Sequence, residues 1–175
     1  MTASRPRVVL IGPMGAGKTT VAELLAQSWG VAVRDTDQDV EDSQGRSVSD
    51  IFVEDGEDHF RELERAAVAA ALEKHDGVLA LGGGAVLAEE TRERLRGHRV
   101  VFLKVGLADS VSRVGLGQGR PLLLGNVRSR IKRILDERLP VYTATADHVV
   151  DTDGRTAEEV AEEVRTWVEG QERDD

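Results

Sequence analysis

Val8-Val9-Leu10-Ile11 followed by Gly12-Pro13-Met14-Gly15-Ala16-Gly17-Lys18-Thr19 is the stretch on which the fold turns. The first four residues are apolar, mostly β-branched and ended by glycine, which predicts a buried strand. The next eight fit G-x-x-x-x-G-K-[ST] without a mismatch. Glycines let the backbone curl so that successive amides face one concave site. A helix predicted over Thr19–Ser28 places Val21, Leu24 and Leu25 on one face, and its N-terminal partial charge favours an anion. Gly30 is its expected stop. Strand, loop and helix together predict a site for a nucleoside triphosphate with Mg²⁺, in which Lys18 reaches the β and γ phosphates and the Thr19 hydroxyl holds the metal. A glycine-rich turn with a chance lysine would not need this context. The motif names the nucleotide and leaves the acceptor open.

Strand and helix patterns alternate along the rest of the chain. Strands are predicted at Val31–Val33, Val78–Leu81, Val100–Val105 and His148–Val150. Helices are predicted at Asp37–Ser43, Ser49–Asp55, Glu57–Lys74, Ala88–Leu95, Asp109–Val114, Asn126–Leu139 (stopped by Pro140) and Thr156–Glu169. Such alternation predicts one α/β domain over 1–175, three layers deep, with a five-stranded parallel sheet between helices. The glycine-rich Gly115–Gly125 reads as a mobile loop, and the acidic tail at 170–175 as frayed.

At 40% hydrophobic and 31% charged residues, the chain is globular and not disordered. With no cysteine, disulfides, thiolate zinc sites and cysteine nucleophiles are excluded. The net charge of −9 argues against non-specific nucleic-acid binding. No apolar run is long enough to cross a membrane, and Met1–Arg7 lacks a signal-peptide core, so a cytoplasmic protein is expected. His59, His75, His98 and His148 are scattered without metal-ligand spacing.

Acceptor-side candidates sit where strands two and three end, because open α/β sheets bind ligands at the carboxyl ends of their strands. Asp35 and Asp37 follow strand two. One can serve the metal, directly or through water, while the other meets an acceptor hydroxyl; Asp37 could instead simply cap a helix, but its place at a strand end beside the phosphate loop favours the functional reading. Gly82-Gly83-Gly84 follow strand three and are more than a turn needs, so a ligand touching the backbone is the favoured reading over a plain turn. On spacing alone Arg61 and Arg138 read as structural. The segment from Arg113 to Leu124, with Gly115, Gly117, Gly119, Arg120 and Pro121, reads equally as a lid over phosphates or as a surface loop.

Taken together these motifs make the chain resemble the shikimate kinase family, which has the P-loop fold of nucleoside-monophosphate kinases. Gly-Pro-Met-Gly-Ala-Gly-Lys-Thr-Thr at 12–20, Asp-Thr-Asp at 35–37, Gly-Arg-Ser-Val-Ser-Asp-Ile-Phe at 45–52 and Gly-Glu-Asp-His-Phe-Arg-Glu-Leu-Glu at 56–64 carry the first half. Leu-Gly-Gly-Gly-Ala at 81–85, Gly-Arg-Pro-Leu-Leu at 119–123 and Arg-Leu-Pro-Val-Tyr at 138–142 carry the second. Threonine stands at 19 where the family more often has serine, and the hydroxyl survives.

The resemblance implies transfer of the ATP γ-phosphoryl group to the 3-hydroxyl of shikimate, in aromatic amino-acid biosynthesis, by a monomer. It implies that Asp37, Arg61, Gly83 and Arg138 hold shikimate, with Gly82 and Gly84 beside them and Phe52 and Phe60 on the apolar side. It further implies that Gly12, Gly15, Ala16, Gly17, Lys18, Thr19 and Thr20 surround the phosphates, that Thr19 binds Mg²⁺, and that Asp35 does so through water. Arg120 matches a lid arginine that reaches the ATP phosphates, with a lid near 113–125. Arg113 and Arg155 match positions near the nucleotide. Lys18, Asp37 and Arg120 are the implied catalytic set. A kinase of the same fold acting on gluconate or a nucleoside monophosphate remains an alternative. A nucleotide-dependent switch should carry Asn-Lys-x-Asp, which this chain lacks. A catalytically silent relative should have lost catalytic positions, and all of them are present.

Overall fold

The structure, a computed structural model, describes residues 5–109 and 124–175. Arg113, Arg120 and the lid expected up to 123 lie outside the described residues.

Strand β1 (Val8–Ile11) is fully buried and leads into α1 (Lys18–Trp29). β2 (Val33–Asp35) follows, then α2 (Thr36–Gln44), α3 (Val48–Asp55) and α4 (Glu57–Lys74). β3 (Val78–Ala80) precedes a 3₁₀ turn at Ala85–Leu87 and α5 (Glu89–Leu95). β4 (Val100–Lys104), α6 (Leu124–Thr145), β5 (His148–Asp151) and α7 (Ala157–Asp174) complete the order. The five strands are all parallel, in the order β2-β3-β1-β4-β5.

Because side chains alternate along a strand, β1 feeds both layers. Val8 and Leu10 pack with Val21, Leu25, Val160 and Val164 of α1 and α7. Val9 and Ile11 pack on the other face with Val68, Leu72, Leu95 and Tyr142 of α4, α5 and α6. A smaller cluster of Val40, Ile51 and Phe60 joins α2, α3 and α4 beneath the rim. The arrangement is the expected α/β/α sandwich. It delivers the carboxyl ends of β1, β2 and β3 to one rim.

Three boundaries differ from the sequence expectation. Strand two runs over Val33–Asp35 and not Val31–Val33, because the Val31 amide still bonds Ala26 at the end of α1. Asp35 thus belongs to the strand end itself and pairs with Ala80. Helix α6 does not stop before Pro140 but continues to Thr145. Proline withdraws one amide from the helical ladder, and the exposed position of Pro140 leaves the freed carbonyl open to water.

The tail expected to fray from 170 onward is helical to Asp174. Glu172 accepts two hydrogen bonds from Arg7, both of 2.9 Å, and the Arg7 guanidinium stands 4.1 Å above the Trp29 ring. Asp175 pairs with Arg99. At the other end of α7, Thr156 and Glu159 form a reciprocal capping box. Thr156→Ala should cost about 1 kcal/mol, lowering the thermal midpoint by about 3 °C in a denaturation scan without changing turnover.

Candidate active site

The phosphate loop leaves β1 with Gly12, Gly15 and Gly17 in positive-φ conformations. Helix α1 starts with no capping side chain and no acidic residue in its first turn. Its free amides therefore stay open to an anion. Lys18 donates to the carbonyls of Gly12 at 2.6 Å and Pro13 at 3.0 Å, so its amine is folded back over the loop. Burial pushes that amine down to about 8, against the pull of Asp37 and Asp35. Thr19 and Thr20 are exposed at the mouth of the loop, while Ala16 is buried beneath it.

The structure settles which aspartate caps the helix. Asp35, not Asp37, caps α2, its Oδ1 accepting from the amides of Asp37 at 2.9 Å and Gln38 at 3.3 Å. Asp37 lies in the first helical turn, and its carboxylate accepts no hydrogen bond among the described residues. Burial, then the neighbouring Asp35 and Glu64 charges, push its carboxyl up to about 6; Lys18 and Arg61 oppose them.

The triple glycine is explained by what stands against it. A Cβ at Gly82 would fall 2.4 Å from Asp37 Oδ1, and one at Gly84 would fall 2.5 Å from both terminal nitrogens of Arg61. Side chains at these two positions would displace the aspartate and the arginine. Thr36, fully buried, accepts from the Gly82 amide at 3.2 Å and locks the loop to the start of α2.

Arg61 projects from α4 into the same space. Its Nη1 donates to Glu64 Oε1 at 2.8 Å, and its guanidinium lies 5.9 Å from the Phe52 ring and 5.4 Å from that of Phe60. The two rings are tilted with centroids 4.8 Å apart. They give the cleft one apolar wall. Glu64 is only 3% exposed; burial pushes its carboxyl up, while Arg61, first by hydrogen bond and then by charge, pulls it down. Arg138 enters from α6, with Ile131, Ile134 and Leu135 beside it.

These groups line one cleft of about 720 Å³, a size that suits a small molecule. Of the residues singled out from sequence, Gly15, Gly17, Lys18, Thr19, Thr20, Asp35, Asp37, Phe52, Phe60, Arg61, Gly82, Gly83, Gly84 and Arg138 line it. Gly12 and Ala16 sit behind the loop. Arg155 is not brought to the cleft: it donates to Glu163 at 2.8 Å, to the Asp151 carbonyl at 2.9 Å and to the Glu159 carbonyl at 3.3 Å. It staples the turn after β5 to α7. Glu64 and Tyr142, which lie inside quoted motifs, had no sequence signal of their own; only burial distinguishes them.

No group of three or more His, Asp or Glu side chains is arranged to hold a metal ion among the described residues. The oxygen donors at the loop are the Thr19 and Thr20 hydroxyls, with Asp35 and Asp37 close by. That suits Mg²⁺, which keeps several waters and takes oxygens from phosphates, better than a metal held by protein alone.

Comparison with known proteins agrees with this geometry. The family model described as Shikimate kinase matches residues 14–169. The shikimate kinase of Salinispora arenicola is 59% identical over 159 residues, spanning 91% of this chain and 95% of that one. That of Thermobifida fusca is 58% identical over 160 residues, spanning 91% and 93%. Among solved structures, the shikimate kinase of Acinetobacter baumannii in complex with shikimate superposes with a TM-score of 0.87 at 30% identity, covering 96% of this chain and 94% of that one. With the phosphate loop, the two aspartates and both arginines in one cleft, the chain belongs to the shikimate kinase family.

Proposed function

We propose that this cleft transfers the γ-phosphoryl group of ATP to the 3-hydroxyl of shikimate, giving shikimate 3-phosphate and ADP. The observation that carries the reading is the convergence of Asp37, Arg61 and Arg138 beside the phosphate loop. Two guanidiniums suit a carboxylate, and an aspartate whose carboxylate accepts no hydrogen bond among the described residues suits a hydroxyl. The acceptor oxygen attacks the γ phosphorus, the bond from that phosphorus to the β-bridging oxygen breaks, and the hydroxyl proton passes towards Asp37. Lys18 swings from the Gly12 and Pro13 carbonyls to the phosphate oxygens. Mg²⁺, when bound, would neutralise charge on the β and γ phosphates, held by the Thr19 hydroxyl and, through water, by Asp35. Phe52 and Phe60 pack against the carbon ring and exclude water. Arg120, in the segment outside the described residues, supplies further charge to the phosphates in this reading. The same reading makes residues 1–175 a single kinase domain, monomeric and cytoplasmic, working on a small molecule without nucleic acid or membrane.

The test is ADP release from ATP·Mg²⁺ with shikimate, gluconate, AMP or CMP offered in parallel. Turnover with shikimate alone is expected. Turnover with another acceptor, or with none, overturns the substrate assignment. Arg138→Lys keeps the charge and loses the fork. It should raise the KM for shikimate about tenfold and leave that for ATP within about twofold. Equal changes in both would remove Arg138 from the carboxylate clamp.

A further inference from the structure

Three of the segments that bring polar groups to the cleft are the glycine loop after β3, α4 and α6. Gly83 is where two of these meet the phosphate loop. A Cβ built on it would lie 3.6 Å from the Met14 amide nitrogen and 3.7 Å from both the Gly12 carbonyl oxygen and Arg138 Nη1. The Gly83 carbonyl accepts the Tyr142 hydroxyl at 2.5 Å. Tyr142 is 1% exposed, and its ring stacks obliquely on Phe102 of β4 with centroids 4.9 Å apart. The phenol is therefore anchored to the sheet as well as to the loop.

Tyr142 lies one helical turn beyond Arg138, so the two occupy the same face of α6. Pro140 stands between them and withdraws the amide that would have bonded the Asp136 carbonyl. The helical ladder is thus weakest close to where Arg138 leaves the helix. A buried hydroxyl that bridges this turn to the glycine loop restores the missing restraint. Burial pushes the phenol up, opposed first by the Arg138 charge, so it stays neutral and able to donate.

We propose that Tyr142 is a positioning residue for the acceptor: its hydroxyl ties the Gly83 carbonyl to the turn of α6 that carries Arg138, and so fixes the guanidinium against the loop where the acceptor carboxylate sits. The proposal rests on the carboxylate-clamp reading of Arg138. A tyrosine that only filled the core would owe its place to the ring, and loss of the hydroxyl would lower stability without selecting between substrates.

Tyr142→Phe keeps the ring and removes the oxygen. The expected result is a KM for shikimate raised roughly five- to tenfold, the value of one hydrogen bond, with the KM for ATP within about twofold. Discrimination between shikimate and its methyl ester should fall by a similar factor, because the ester does not use the clamp. In an Arg138→Gln background the same substitution should have no further effect on the KM for shikimate. Phe102→Leu is the second variant: it loosens the ring packing but keeps the hydroxyl. It should lower the thermal midpoint while leaving the KM for shikimate unchanged. An unchanged KM for shikimate in Tyr142→Phe, equal shifts for both substrates, additivity with Arg138→Gln, or the same shift in Phe102→Leu would each overturn the proposal. The wild type is assayed first. If it turns over shikimate and the Tyr142 result fails, only the positioning role falls; if it does not turn over shikimate, both fall.

Discussion

Lys18→Ala should lower kcat about a thousandfold while the protein remains folded. The lysine is the one cation fixed within the phosphate loop, and its present partners are two backbone carbonyls. Those bonds hold it close to its working position, so its charge is delivered without rearranging the loop backbone. Alanine removes both the charge and the internal tie. Stability should change little, because the buried amine carries a desolvation cost that disappears with it. Single-turnover kinetics separates the phosphoryl-transfer step from product release, and circular dichroism checks the fold. Turnover of the folded variant near the wild-type level would remove Lys18 from the catalytic set.

Asp37→Asn should lower kcat about a hundred- to a thousandfold, with a smaller change in the KM for shikimate. Asparagine matches the shape of the carboxylate and fits the space that Gly82 leaves for it. It can still hydrogen-bond a ring hydroxyl, but it cannot take the proton or supply the charge. The carboxylate is also the largest influence holding Lys18 in its charged form against burial. The two substitutions therefore act on one electrostatic unit, and the double variant should be much less impaired than the product of the single effects. Strict multiplicativity would show that the two side chains work independently. A kcat within about threefold of wild type in Asp37→Asn would end the catalytic assignment of the aspartate.

The sheet and the phosphate loop could be read from the residues because each rests on local chemistry. β1 is apolar throughout, and the loop needs its glycines and its lysine at fixed spacing. On the acceptor side, Asp35, Asp37 and the triple glycine could be read from their strand-end positions, whereas the two arginines were legible only through the family resemblance. Arg61 and Arg138 are far apart in the chain, and nothing in either neighbourhood says that both face Gly82–Gly84. Spacing alone left open whether Asp37 capped a helix; the strand's two-residue shift hands that cap to Asp35, and the shift follows from Gly30 and Val31 still closing α1. The partner of Arg155 was not legible in its own neighbourhood: Glu163 reaches it from the next turns of α7. Pro140 misled because a proline is a strong stop signal, overridden here by Tyr142 and the apolar contacts that hold the last turn of α6 on the sheet.

The pairing of α1 with α7 has a consequence for how the protein is made. Trp29 and Glu169 meet although they are 140 residues apart, and Arg7 meets Glu172 across 165. The inner face of the phosphate-binding helix, with Val21, Ala22, Leu25 and Ala26, is sealed by Val160, Val164 and Val168. During synthesis the side of that helix turned towards α7 emerges early and is covered only when α7 clears the ribosome. A nascent chain halted before α7 should therefore expose an apolar stripe on the very helix that later holds ATP, and should be the species that chaperones engage.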